Sequence, residues 1–572
     1  MEYSAIFHDM DKRFCYAIDK DLFVIRVQVK KDDMKEVILH YEDKYIPMER
    51  KDTRMTLPMK KVATSQFHDY YEAQLRMNLI CLRYFFEFTD MQGEKVYYGN
   101  YEFDKECITN RDRMFDCPQN LREEEMFEVP EWAANKVVYQ IFPSRFAATE
   151  PVDKELWYKA PITPMDDLHG NLRGIIEHMD DIQNLGIDVL YMTPIFQSNS
   201  CHKYDTTDYY QIDPSFGTTE DLKELVQKAH ERGMKVVLDA VYNHTGREFF
   251  AFADILENGE KSKYRDWYFI DGFPLKSEWG EIPNFKCFGY YGGMPKLNLK
   301  NPEVEKYITD VACYWIKECD IDGWRLDVGD EISHFFWKNF RKAVKAVKKD
   351  MLIIGEIWHY AGDFLEGDEW DTVMNYPFYL NLIDLLADEK ITVSQFVQNL
   401  GYLKGRLHKN CYPLMWNLID SHDTARFLHL CNDNKKKQHL AAAFQLLLPG
   451  MPMIYYGDEY AMPGANDPDC RRGMYWDEEY QDKEMYEWYK RLIQVRKSHA
   501  CIVEGELAGS VTEDEEGTIV LIRKNGEETI AMIFNCSSSA KKFNEYTQKY
   551  NLLTENTFDG NVEGFDAAVI VL

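Results

Sequence analysis

Gly323-Trp-Arg-Leu-Asp-Val328 reads as a short apolar strand ending in a carboxylate, and Leu352-Ile-Ile-Gly-Glu-Ile-Trp358 repeats the pattern. Between them Ile332, Phe335, Phe336, Phe340, Ala343, Val344 and Val347 recur at i, i+3, i+4 spacing, which predicts a helix over 332–348 with one buried face. Strand, helix and strand in that order is the repeating unit of a parallel sheet. Working outward, the same rhythm predicts strands over 136–142, 187–193, 235–242, 372–376, 414–420 and 453–456, making eight with the first two. Helical periods fall between or after them at 177–185, 220–232, 302–318, 436–448 and 484–497, and Asn301-Pro302 supplies an N-cap and a first-turn proline. Eight such units imply an α/β fold, a (β/α)8 TIM barrel, whose functional residues gather at the C-terminal ends of the strands.

The carboxylates sit where that rule wants them. Asp239-Ala-Val-Tyr-Asn-His244, Asp327, Glu356 and Asp420-Ser-His-Asp423 each follow an apolar run. Breaking an acetal needs one carboxylate to attack the anomeric carbon and a second group to protonate the leaving oxygen, about 5 Å away in a retaining enzyme. Asp327 is the expected nucleophile, oriented by Arg325, which lies two residues away on the same strand and so on the same side. Glu356 is the expected proton donor, with Ile357 and Trp358 as an apolar wall. Asp423 would clamp sugar hydroxyls beside the developing positive charge, with His422 and His244 as hydrogen-bonding partners. A structural ion pair would account for Asp327 with Arg325 alone, but packing gives no reason for two further acids at the same barrel face.

The flanks read differently. Short alternating strands at 22–29, 79–86 and 95–98 predict an N-terminal β-sandwich over 1–125, with an acidic linker near 117–130. The barrel is assigned to 126–497, with an inserted subdomain over 245–298, rich in aromatics and glycine, after the third strand. Strands at 518–523 and 529–534 predict a C-terminal β-sandwich over 498–572. The net charge of −30 argues against nucleic acid or an anionic membrane as partner. No apolar run approaches a membrane span, and the N-terminal residues carry no basic segment followed by an apolar one. The 13 cysteines, odd in number and without a CxxC pair, suit free thiols in a cytoplasmic protein and give no reason to expect zinc.

These stretches resemble the signature regions of the α-amylase family (glycoside hydrolase family 13), as do Val138-Tyr-Gln-Ile-Phe-Pro143, Thr193-Pro-Ile-Phe196 and Tyr204-Asp205. Within the family the chain is similar to the neopullulanase, cyclomaltodextrinase and maltogenic amylase group, through Met294-Pro-Lys-Leu-Asn298, Glu356-Ile-Trp-His359, Val373-Met-Asn-Tyr-Pro377 and Asn466-Asp-Pro-Asp-Cys-Arg471. The resemblance implies cleavage of α-1,4 and, in some members, α-1,6 bonds in cyclodextrins, maltooligosaccharides and pullulan through a glycosyl-aspartate, with transfer to sugar acceptors as a side reaction. It implies that Asp239 and Arg325 help bind substrate. Tyr204 would stack on the sugar being cleaved, Asp467 and Arg471 would hold hydroxyls deeper in the pocket, and Trp358 would stand on the leaving side. It also implies a homodimer through the N-terminal domain. Two features depart from the group: Gly329-Asp-Glu331 stands where Ala-Asn-Glu is common, and Ala147–Asp153 lacks the Asn and Asp cluster that usually binds calcium. No metal ligand is assigned and no cofactor is expected to be required, although calcium remains an open alternative. The alternatives are an α-glucosidase or sugar-transferring relative and, more remotely, a barrel that binds carbohydrate without cleaving it.

Overall fold

The computed structural model describes residues 1–47, 54–77, 79–118, 126–276, 280 and 282–572. The expected linker falls in part on 119–125, outside the described residues.

All eight barrel strands are present: β1 (Val138–Ile141), β2 (Val189–Met192), β3 (Lys235–Ala240), β4 (Gly323–Leu326), β5 (Leu352–Gly355), β6 (Thr372–Val373), β7 (Trp416–Asn417) and β8 (Met451–Tyr455). Parallel pairing runs β6-β5-β4-β3-β2-β1-β8-β7, and a parallel bridge from Met374 to Trp416 brings the two outer strands together. The sheet is a nearly closed barrel. Its strands are buried on both faces, which is why Val189-Leu-Tyr-Met192 and Leu352-Ile-Ile-Gly355 read as unbroken apolar runs rather than alternating ones.

The helices start where side chains can cap them. Thr218 and Asp221 form a reciprocal capping box for Thr219–Glu231, Asn301 accepts from the Glu303 N–H ahead of Pro302–Cys319, and Ser333 caps His334–Val347. One detail of the expected face is corrected here. Phe335 is 69% exposed, whereas Trp337 is buried with Phe336, Phe340 and Val344. The helix begins later than expected, and its inward stripe is centred on 336, 337, 340 and 344, which turns Phe335 outward.

The segment after β3 forms its own small layer. Helix Phe250–Asn258 is joined by antiparallel bridges between Tyr268 and Leu297, Ile270 and Phe285, and Cys287 and Pro295. At the C-terminal end an antiparallel sheet is built on Thr518–Asn525, Glu528–Asn535 and Asp566–Val571. One face carries Val520, Ala531, Ile533, Phe543, Phe558 and Ile570. From the other, Phe534 stacks at 4.3 Å on Phe444 of helix Lys435–Leu447.

Two compact units result. The larger spans 130–359, 372–390 and 413–572, so the C-terminal sheet belongs with the barrel. The smaller joins 1–129 to two stretches from the barrel's part of the chain, 360–371 and 391–412. In it, one sheet holds Cys15–Ala17, Leu22–Lys30, Lys60–Thr64 and His68–Arg76, and a second is centred on Met34–Asp43 and Cys81–Asp90, with Phe115–Pro118 paired to the latter. Ile25, Val27, Leu39, Leu82, Tyr84 and Phe86 share the core. Helix Val393–Arg406 lies against this sandwich so closely that a Cβ on Gly401 would meet the Thr64 carbonyl at 1.9 Å, which is why glycine stands there. Arg26 completes the seam, donating to the carbonyls of Gly405 and Leu407 at 2.9 Å and to Glu72 at 2.8 Å.

Candidate active site

Arg325 is the hub. It projects from β4, fully buried, and its guanidinium reaches four carboxylates. Nη1 donates to Asp327 Oδ1 at 2.8 Å and to Asp239 Oδ1 and Oδ2 at 3.0 and 3.1 Å. Nη2 lies 2.9 Å from Glu356 Oε2 and 3.9 Å from Asp423 Oδ2. The four acids come from the ends of β3, β4 and β5 and from the loop after β7, and one cation gathers them. Asp327 accepts from Nη1 and Glu356 pairs with Nη2, so one guanidinium anchors both members of the acid pair that double displacement needs.

Local backbone geometry completes the pair. Val328 has φ +47°, a left-handed conformation that a β-branched side chain adopts only under constraint. In that conformation its N–H donates to Glu356 Oε2 at 2.9 Å. The indole N–H of Trp358 donates to Glu356 Oε1 at 3.2 Å. Trp358 therefore meets Glu356 through a donor rather than as the apolar wall expected from sequence, and its ring lies flat on Tyr376 at 4.0 Å. It is 41% exposed, so one edge of the site faces solvent.

A chain of hydrogen bonds fixes the opposite wall. Gln140 on β1 donates to His422 Nδ1 at 2.7 Å, which leaves the proton on Nε2, facing the Tyr204 hydroxyl oxygen and Asp423 Oδ2. The Tyr204 hydroxyl donates in turn to Asp239 Oδ2 at 3.0 Å, where the Tyr191 hydroxyl also donates at 2.7 Å. Burial holds His422 far below the usual histidine range, so it is neutral at pH 7. His244, lowered to about 4 by burial, donates from Nε2 to the Tyr204 carbonyl at 3.1 Å. It sets the loop that carries Tyr204. Arg471 reaches Asp423 at 3.4 Å, Asp467 at 2.8 Å and the His422 carbonyl at 2.7 Å.

All eleven residues singled out from sequence thus form one connected network. Gln140, Tyr191 and Tyr376 also belong to it and were not anticipated as site residues. The signal for the first was a glutamine within an otherwise apolar strand, Val138-Tyr-Gln-Ile141.

Charge in the cluster is unbalanced, with four carboxylates around one guanidinium. Burial pushes Asp327 well above the usual carboxylate range; Arg325 opposes this, and Glu356, Asp239 and Asp423 add to it. Asp239 is pushed up to about 6, chiefly by burial and against the pull of Arg325. Such a cluster resists full ionisation.

Residues that would hold calcium after β1 are otherwise engaged. Asp153 accepts from the Glu155 N–H at 2.9 Å, capping helix Lys154–Trp157. The Asn171 oxygen accepts from the Gly174 N–H at 2.9 Å, and its amide turns an N–H towards Thr149. Three or more His, Cys, Asp or Glu side chains do not gather as a metal site among the described residues.

Residues 140–480 match the α-amylase catalytic domain and residues 1–119 the α-amylase N-terminal Ig-like domain. The chain belongs to the α-amylase family. As a member it is a glycosidase, with the retaining double displacement of that family. It is 42% identical to the cyclomaltodextrinase of Geobacillus thermopakistaniensis over 94% of this chain and 92% of that one. It is 38% identical to the intracellular maltogenic amylase of Bacillus subtilis over 94% and 91%. A solved cyclomaltodextrinase structure superposes with a TM-score of 0.94 at 37% identity, covering 100% of both chains.

Proposed function

We propose that this α-amylase family member hydrolyses α-1,4-glucosidic bonds in cyclodextrins and maltooligosaccharides. In this reading Asp327 attacks the anomeric carbon while Glu356 protonates the departing oxygen. Glu356 then deprotonates the water that releases the sugar from Asp327, with retention as the α anomer. Asp423, held by Arg471 and His422, accepts hydroxyls of the sugar at the point of cleavage, and Tyr204 offers its ring to the same sugar. The observation that carries the reading is the single guanidinium of Arg325 touching all four acids, which fixes their spacing before any substrate arrives.

Small substrates are favoured by the likeness to proteins named for cyclomaltodextrin and maltose. Incubation with β-cyclodextrin, maltotriose and pullulan, followed by product analysis, tests this. Ring opening to linear oligosaccharides and then maltose is expected. Release of single glucose units from maltotriose with the ring left intact would instead favour an α-glucosidase. Cleavage of pullulan would extend the activity to that substrate.

Three further readings belong to the same proposal. The chain works in the cytoplasm, a proposal supported by the likeness to an intracellular enzyme and by 13 free thiols; no described helix is long and apolar enough to cross a membrane. It forms a homodimer through residues 1–125, which light scattering of a chain lacking residues 1–120 checks. It needs no calcium, so turnover and thermal midpoint are expected to be unchanged by a chelator.

A further inference from the structure

Two cysteines from different sheets of the N-terminal sandwich meet in its core. Cys15 lies on the edge strand Cys15–Ala17, and Cys117 lies on Phe115–Pro118, which pairs with Cys81–Asp90 in the other sheet. Their sulfur atoms are 3.0 Å apart. A disulfide bond is about 2.05 Å long, so closure asks the two side chains to share a movement of about 1 Å. Both residues are buried, at 7% and 8% exposure.

Beside this pair stands a chain of hydrogen bonds. The Tyr84 hydroxyl hydrogen-bonds Cys15 and lies 2.8 Å from His8 Nε2. His8 Nδ1 faces the Arg26 carbonyl at 2.7 Å, and a carbonyl only accepts, so Nδ1 carries the imidazole proton and Nε2 offers its lone pair. The Tyr84 O–H must then donate to His8, leaving its oxygen free to accept from Cys15. Burial holds His8 down at about 4, so it is a weak base, and the chain fixes where the Cys15 sulfur points rather than drawing off its proton.

We propose that Cys15 and Cys117 are a reversible dithiol–disulfide couple, closed by exchange with a small-molecule disulfide, that covalently joins the two sheets of the N-terminal sandwich. Cys15, once deprotonated, attacks one sulfur of the reagent and expels one small thiol, which takes up the Cys15 proton. Cys117 then attacks the mixed disulfide at the Cys15 sulfur and expels the second. The reagent's S–S bond breaks, the Cys15–Cys117 bond forms, and the two protein protons leave on the two small thiols. The bond would close a loop spanning most of the N-terminal unit, so the oxidised form is the more resistant to unfolding.

Equilibrating the full-length protein with mixtures of oxidised and reduced glutathione, then trapping and peptide mapping, tests the couple. Two of the 13 thiols should disappear when counted in denaturant. The map should join Cys15 to Cys117, the thermal midpoint should rise by several degrees, and dithiothreitol should reverse all three. Cys15→Ala and Cys117→Ala should each abolish the linkage. Cys81→Ala should leave it intact, although Cys81 lies opposite Pro118 on the adjoining strand. Tyr84→Phe should leave the same two sulfurs joined. The couple is overturned if all thiols survive every glutathione ratio, if glutathione stays attached to Cys15, or if Cys81 is a partner. Mapping of the unsubstituted protein decides this even if an alanine variant does not fold.

Discussion

Two buried arginines in the barrel unit each hold a group of acids, and only one of them makes a site. Arg325 binds Asp239, Asp327, Glu356 and Asp423. Arg426 binds Asp458 at 3.0 Å, with Asp420 hydrogen-bonded to Asp458 and Glu459 the next residue along. In charge the clusters look alike, and in both burial pushes carboxyl groups upward. They differ in access. Arg426 is walled in by the Tyr455 and Tyr456 rings and the Cys470 carbonyl, and Asp420, Asp458 and Glu459 are all buried. The Arg325 cluster opens at Asp423, whose side chain is 30% exposed, and at Trp358. Perturbed acids mark a candidate, but an opening to solvent is what turns one into a catalytic centre.

The sharpest way to break this contrast is to damage each cluster in turn. Asp327→Asn should cut turnover by about the 10⁶-fold typical of losing a covalent nucleophile, while the protein stays folded. Arg426→Met should do the reverse. It strands buried acids and should cost about 3–5 kcal/mol of stability, read as a lower urea midpoint, with kcat per folded molecule preserved. A folded Arg426→Met protein without activity would show that the second cluster is not merely structural. Glu356→Gln comes next, at about 10²- to 10⁴-fold on maltotriose and much less on an aryl α-maltoside, whose leaving group needs little protonation. Equal losses on both would take the proton-donor role away from Glu356.

The same contrast explains what could be read from the chain. Asp327, Glu356 and Asp423 were legible because each follows an apolar run, and strand ends are where a barrel gathers its chemistry. The Arg426 cluster offered a similar signal in Asp420 and in Gly457-Asp-Glu459, and nothing local says which acid will be covered. His244 was expected to bond substrate, yet it supports the Tyr204 carbonyl, a contact that depends on how two loops meet. Helix Val393–Arg406 was missed because Gly401 and Gly405 depress helix propensity, and the reason for those glycines is a sandwich far away in sequence. The left-handed Val328 was equally invisible, since β-branched residues argue against that conformation.

A pH measurement separates the clusters more finely. Burial pushes Glu459 up to about 7 from 4.5, against donors from Tyr139 and the Gly457 N–H. Because the folded value is the higher one, the folded state binds more protons between these limits. Its contribution is therefore fully present below pH 4.5 and is lost as pH rises through 7. The swing is about 3 kcal/mol. The urea midpoint should fall between pH 5 and pH 8, and Glu459→Gln, uncharged throughout, should flatten that fall without altering product pattern. An unchanged slope would mean that Glu459 ionises freely despite its burial.

The smallest effect is expected at Tyr204. Tyr204→Phe keeps the ring, which is 5.5 Å from His422 and nearly parallel to it, and deletes only the hydroxyl between His422 and Asp239. Neither partner is abandoned: Asp239 keeps Tyr191 and Arg325, and the His422 Nε2–H keeps Asp423. The loss should then be that of one neutral hydrogen bond, about 0.5–1.5 kcal/mol, or roughly two- to tenfold in kcat/KM. A hundredfold loss would mean that the hydroxyl touches the reacting sugar itself, and the Gln140–His422–Tyr204–Asp239 chain would then be part of the chemistry rather than the frame that holds it.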